Sequence, residues 1–291
     1  MRIDLPENLE SEGIDLLARH FVKEASEAAL LVAYMPIDRE DGDSLLIALG
    51  AGLIRNGISI QESIVVRDGR YRSIICRDTQ CCPVNGLELP AIENSEIAAE
   101  HVVAGIPMPY TNISELVATL AADPQSYDFD WSDQVADFLI AEDSEELESL
   151  RRDGVETMEL LIDEYRIGRG PSDRTLVARM IGRMSDVQVR DYALGVHQED
   201  NYDLYFTMWR ELLRLAPRGF VAPIACIVAA MAYESGDGAL AQKALDRAFN
   251  DDDHYPLASL LRRVFNAGWP PESFSSMRAE LHPKVIAAIY G

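Results

Sequence analysis

A chain of 291 residues, with 48% hydrophobic and 26% charged side chains, can bury a sizeable core and lacks the composition of a disordered protein. Its 26 Lys and Arg stand against 49 Asp and Glu, and the resulting net charge of −23 repels phosphate backbones, which argues against a DNA or RNA partner. No run of about 18 apolar residues predicts a membrane span, and four cysteines without a secretion signal's apolar stretch point to a reducing cytoplasm.

In chain order, residues 2–5 read as a short strand, and Ile14, Leu17, Phe21 and Val22 lie at helical spacing. Residues 28–35 form a continuous apolar run closed by Pro36, the pattern of a strand buried on both faces. Residues 45–54 read as a helix ending near Asn56-Gly57. Strands are expected over 59–67 and 70–76, joined by Asp68-Gly69, a dipeptide suited to the type I′ turn of a tight hairpin. The order β-α-β-α-β-β predicts a small open mixed sheet, an α/β domain over residues 1–92.

From about residue 95 the pattern is helical, giving an all-α domain over 93–291. Helices are expected over 95–104 and from Ser114-Glu115 to Asp123-Pro124, with an extended connector around Pro107 and Pro109. Leu147, Leu150, Met158, Leu161, Ile162 and Tyr165 form one apolar stripe, and Ser172 or Asp173 caps the helix after the Gly168-Arg169-Gly170-Pro171 break. Over 220–267, Ala229, Ala232, Gly236-Asp237, Ala241, Leu245 and Ala248 fall at the small-residue positions of one tetratricopeptide-like helical hairpin.

Residues 71–86 are the most informative stretch, because they contain three of the four cysteines: Cys76, Cys81 and Cys82. The spacing of Cys76 and Cys81 suits a metal, but adjacent Cys81 and Cys82 do not readily join one ion, and the nearest histidine, His101, lies beyond a loop. No C-x-x-C supports a redox pair. Burial as small apolar side chains is the favoured reading, with metal ligation by Cys76, Cys81 and Cys82 and redox chemistry as alternatives. On an extended chain Cys81 and Cys82 would face opposite sides. Arg70 and Arg72, with Ser73 and Asp78, are candidates for binding an anionic small molecule, although edge charges and a turn-capping Asp78 account for them as well.

Tyr71–Gly86, with Ser73, Cys76, Asp78, Cys81, Cys82, Pro83 and Gly86, resembles the signature of an actinobacterial family catalogued as domain of unknown function 4192. The stretches Ala222-Pro223, 229–238 and Gly268-Trp269-Pro270-Pro271 are similar to that family's tail. Family members begin with an additional helix and strand, so the resemblance implies a form shortened at its N-terminus, such as a phage or mobile-element copy. It implies no activity.

No phosphate-binding loop, dinucleotide-binding turn, H-E-x-x-H pair or nucleophile elbow occurs. His197 stands near Glu199 and Asp200, and His254 follows Asp251-Asp252-Asp253; both groups read as solvated turns rather than metal sites. The expectation is a cytoplasmic protein without a cofactor that presents an acidic helical surface, densest over residues 130–164, to a protein partner. Two alternatives are a small-molecule enzyme with its site beside the cysteine loop and an acidic mimic of DNA.

Overall fold

The computed structural model describes Asp15 and residues 27–91, 95–104, 110 and 112–291. The expected strand at 2–5, the apolar helical stripe at 14–22 (apart from Asp15) and the 105–109 connector lie outside them. The chain divides into two compact units, Met1–Pro109 and Tyr110–Gly291.

Among the described residues the first unit holds a four-stranded mixed sheet in the order β1-β2-β3-β4. Strand β1 (Ala28–Tyr34) runs parallel to β2 (Ser59–Arg67), and helix α1 (Gly42–Arg55) makes the crossover between them. Strand β3 (Arg70–Ser73) pairs antiparallel with β2, and the short β4 (Leu87–Glu88) pairs antiparallel with β3. At the β2–β3 turn Asp68 and Gly69 both have positive φ, +50° and +67°, as a type I′ turn requires. Leu46, Leu49 and Leu53 of α1 pack with Leu31, Ala33 and Val65 of the sheet.

Strand β1 departs from the expectation of burial on both faces. Leu31 and Ala33 are buried, whereas Leu30 is 60% and Tyr34 72% exposed. The apolar run therefore behaves as an alternating strand with α1 on one side. Helix α2 (Glu96–Ala104) also belongs to this unit.

The second unit is helical: α3 (Ile113–Thr119), α4 (Phe129–Ala136), α5 (Leu147–Arg166), α6 (Arg174–Arg183), α7 (Val187–Gly195), α8 (Tyr202–Leu215), α9 (Val221–Glu234), α10 (Gly238–Asp251), α11 (Pro256–Asn266) and α12 (Pro271–Tyr290). Short capping residues start several of them. Asn112, Asp128, Asp173, Asp186 and Asp237 each accept a backbone N–H of the first turn.

Helix α9 is the centre. Its residues from Val221 to Ala232 are all buried, and it packs against α7, α8, α10, α11 and α12. Ala225, Ala229 and Ala232 leave room for α10, whose Ala241, Ala244 and Ala248 are fully buried in the same core. Helices α9 and α10 are antiparallel. Asp251, at the end of α10, returns to accept the backbone N–H groups of Gly219, Val221 and Ala222 at 2.7–3.0 Å around the start of α9.

Close approach elsewhere depends on Gly182 in α6. A Cβ there would sit 2.5 Å from the Val135 carbonyl oxygen and 2.7 Å from Phe138 Cβ. Gly182→Ala is expected to destabilise the helical unit by about 1–3 kcal/mol through overpacking. Gly238→Ala, which meets nothing within 4 Å, should instead be neutral or stabilise by up to about 1 kcal/mol. Urea unfolding followed by tryptophan fluorescence tests both, because Trp131, Trp209 and Trp269 all belong to this unit.

Candidate functional site

Two places concentrate polar chemistry, one in each unit. In the first, residues 74–86 form the loop between β3 and β4. The expected strand over 70–76 stops at Ser73, because the Ser73 hydroxyl accepts the N–H groups of Ile75 and Cys76 at 3.2 and 3.0 Å and turns the chain away from β2. Asp78 Oδ1 accepts the Gln80 N–H at 2.8 Å, and the Asp78 carbonyl accepts that of Cys82 at 2.7 Å. Arg70 lies across the loop's return, donating to the carbonyls of Asn85 and Gly86, both at 2.8 Å. Gly86 has φ +70°, and a Cβ on it would meet the Tyr71 carbonyl oxygen at 2.8 Å, so only glycine closes the loop without strain.

The thiols are not core residues, contrary to the favoured sequence reading. Cys81 is exposed and Cys76 and Cys82 are half-buried; only Cys226, in α9, is buried. Nor do Cys81 and Cys82 face opposite sides. The three sulfurs of Cys76, Cys81 and Cys82 lie within 4.8 Å of one another, with 3.9 Å between those of Cys81 and Cys82. The alternation argument holds for extended backbone, and this loop is a sequence of turns. Hydrogen bonding and repulsion from Cys82 and Cys76 push the Cys81 thiol up to about 11.

The four residues considered for anion binding each have partners within the unit. Arg72 pairs with Asp43 and Arg70 with Glu88. The Ser73 hydroxyl donates to Glu62 at 2.7 Å, and Asp78 caps its own turn.

The second place is a cleft of about 590 Å³ where α12 and the α7–α8 connection meet the end of α9. At its base the Arg278 guanidinium donates to Glu234 Oε1 at 2.7 Å, and His197 Nε2 lies 3.1 Å from Glu234 Oε2. All three side chains are at least nine-tenths buried. Arg278 also donates to the carbonyls of Gly195 and His197 at 2.8 and 3.1 Å, satisfying the end of α7. His197 Nδ1 is buried and has no hydrogen-bond partner among the described residues, and the same holds for His282 Nδ1. Above this base the cleft wall carries Glu199, Asp203 and Glu272, all exposed.

The sequence pairs His197 with Glu199 and Asp200 in one turn. The fold separates them: the imidazole turns inward to Glu234 while both carboxylates stay at the surface. The other group does lie in an exposed turn, where His254 pairs with Asp253 and Asp251 serves as a helix cap. No local motif marks Glu234 or Arg278; the one signal in the sequence is a carboxylate ending an otherwise apolar helix.

In comparison with known proteins, residues 1–272 match the family model described as domain of unknown function (DUF4192). The chain belongs to this family. No curated protein and no solved structure matches it. The DUF4192 match includes the cysteine loop, His197 and Glu234, whereas Arg278 and His282 lie past its last residue.

Two outcomes follow from the charged base of the cleft. Removing Arg278 as Arg278→Met strands the buried Glu234 carboxylate and should cost about 3–5 kcal/mol, read from the urea midpoint. His282 sits below the ordinary 6.5, first through burial and then through the nearby Arg278 guanidinium and His197 imidazole. The unfolded chain therefore takes up this proton first as pH falls, so the histidine removes stability over the range that begins as pH drops through about 6.5. His282→Asn should show a smaller loss of urea midpoint over that range.

Proposed function

We propose that the helical unit is a non-enzymatic protein-interaction module that receives a basic segment of a protein partner in the α7–α9–α12 cleft. The observation that supports this reading is the set of carboxylates lining one cleft, Glu199, Asp203 and Glu272, which have no ion-pair partner among the described residues. The charge at the base is already balanced, since Arg278 offsets Glu234, so the wall presents net negative charge to an entering group. A lysine or arginine side chain matches the cleft's sign. The overall charge of −23 favours encounter with basic partners and disfavours nucleic acid.

The α9–α10 hairpin, closed on alanines and turned at Gly236-Asp237, is tetratricopeptide-like in this reading, a single unit that builds one wall of a binding surface. Four free cysteines suit a reducing cytoplasm. A small-molecule enzyme beside the cysteine loop is less well supported, because Arg70, Arg72 and Ser73 are occupied by internal partners.

A lysine- and arginine-rich decapeptide carrying a fluorophore tests the reading by anisotropy. Glu199→Gln/Asp203→Asn/Glu272→Gln should weaken its binding about tenfold and flatten the salt dependence, as expected for three exposed charge contacts. A matched triple variant in the acidic middle segment, Glu142→Gln/Asp143→Asn/Glu145→Gln, should leave binding within about twofold. The opposite ranking would place the interaction on the middle segment and refute the cleft. Displacement of the peptide by a competing basic DNA-binding domain, with affinity lost only in the middle-segment variant, would favour the DNA-mimic alternative.

A further inference from the structure

We infer that Cys76, Cys81 and Cys82 form a three-thiolate site for a thiophilic d10 cation, Zn²⁺ or Cu(I), open to solvent at a further coordination position. Packing does not account for these side chains. Within residues 74–86 only Gly86 is buried, so the loop has no apolar interior for thiols to fill. Three cysteines on one short loop nevertheless bring their sulfurs within 4.8 Å of each other.

That spacing is close to what a metal demands. Zinc–sulfur bonds of about 2.3 Å in tetrahedral geometry place thiolates roughly 3.8 Å apart, and the Cys81 and Cys82 sulfurs are 3.9 Å apart. Thiolates select Cu(I) and Zn²⁺ over the hard cations that prefer carboxylate and carbonyl oxygen. Adjacent cysteines converge because the turn closed by the Cys82 N–H to the Asp78 carbonyl carries both sulfurs to the side of Cys76.

The backbone is held independently of any metal. Ser73 fixes the amides of Ile75 and Cys76, Asp78 fixes that of Gln80, and Arg70 ties the returning strand through the carbonyls of Asn85 and Gly86. Sulfurs carried on such a frame need only small side-chain rotations to reach one ion. No His, Asp or Glu joins the cluster among the described residues, so water fills the fourth position around Zn²⁺, and Cu(I) is satisfied by the three sulfurs alone. Binding involves no redox change: each thiol releases its proton to solvent and donates a sulfur lone pair to the ion.

The full chain, reduced and stripped with a chelator that is then removed, is titrated anaerobically with Co²⁺ as a spectroscopic stand-in for Zn²⁺, and separately with Zn²⁺ and Cu(I). The expected result is one ion per chain, with a sulfur-to-cobalt charge-transfer band that Zn²⁺ abolishes. Competition between Zn²⁺ and Cu(I) then identifies the preferred ion. Cys81→Ser, at an exposed position, should weaken binding at least about tenfold, and Cys76→Ser/Cys81→Ser/Cys82→Ser should abolish it. Cys226→Ala should bind like wild type, because that thiol lies in the helical core. Circular dichroism on each variant establishes that it is folded. Absence of stoichiometric binding in wild type whose four thiols all react as reduced would overturn the proposal, as would undiminished binding in the triple variant.

Discussion

Burying helix α9 on every side is the constraint from which the helical unit's polar architecture follows. A helix with one wet face can leave its terminal amides and carbonyls to water. Val221 to Ala232 have no wet face, and the orphan groups at the ends of such a helix must find partners inside the protein. At the N-terminal end the partner is Asp251, whose carboxylate accepts amides from Gly219, Val221 and Ala222 and also lies at the favourable end of the helix dipole. Because Asp251 is the last residue of α10, the same bonds fix α10 antiparallel to α9.

At the C-terminal end the following turn meets the last carbonyls, with Ser235, Gly236 and Asp237 donating to Met231, Tyr233 and Ala232, and a buried side chain sets the remaining demand. Glu234 is the last residue of α9, and its side chain is 7% exposed. A carboxylate so placed carries a large desolvation cost unless it is paired and hydrogen-bonded. Arg278 and His197 supply that pairing from α12 and from the residues after α7, which draws three distant segments to one point. The cleft lies where these segments meet at this charged centre, beside the ring contact between Phe274 and Tyr233. Its acidic wall is a consequence of which residues lie just beyond the meeting point, on the α7–α8 connection and the first turns of α8 and α12.

What the sequence revealed and what it hid divide along the distance over which each interaction acts. Asp68-Gly69 predicts its hairpin because the two left-handed conformations are local demands, and Asp173 predicts its helix start because the cap closes within three residues. The mixed sheet and the run of helices after it were legible for the same reason. The His197–Glu234–Arg278 cluster joins residues 37 and 44 positions apart, and no periodicity encodes such pairing. The cysteine loop failed for a different reason. Extending the strand pattern to Cys76 assumed that apolar character continues a sheet, yet one hydroxyl, that of Ser73, captured the next amides and ended it. Once the backbone turns, alternation no longer predicts which way a side chain points.

The interior also explains the exterior. Basic residues are few, and many are held in partly or fully buried pairs: Arg183 with Asp153, Arg151 with Asp186, Arg278 with Glu234, and Arg262 with Asp246. Guanidinium suits these positions because it remains charged and can donate to a carboxylate and a backbone carbonyl at once, as Arg183 does to Asp153 and the Phe138 carbonyl. Each such pair withdraws one carboxylate together with its arginine, so the net charge carried by the other side chains is unchanged. The charge of −23 therefore rests on fewer side chains, with a higher ratio of acidic to basic groups than the composition shows.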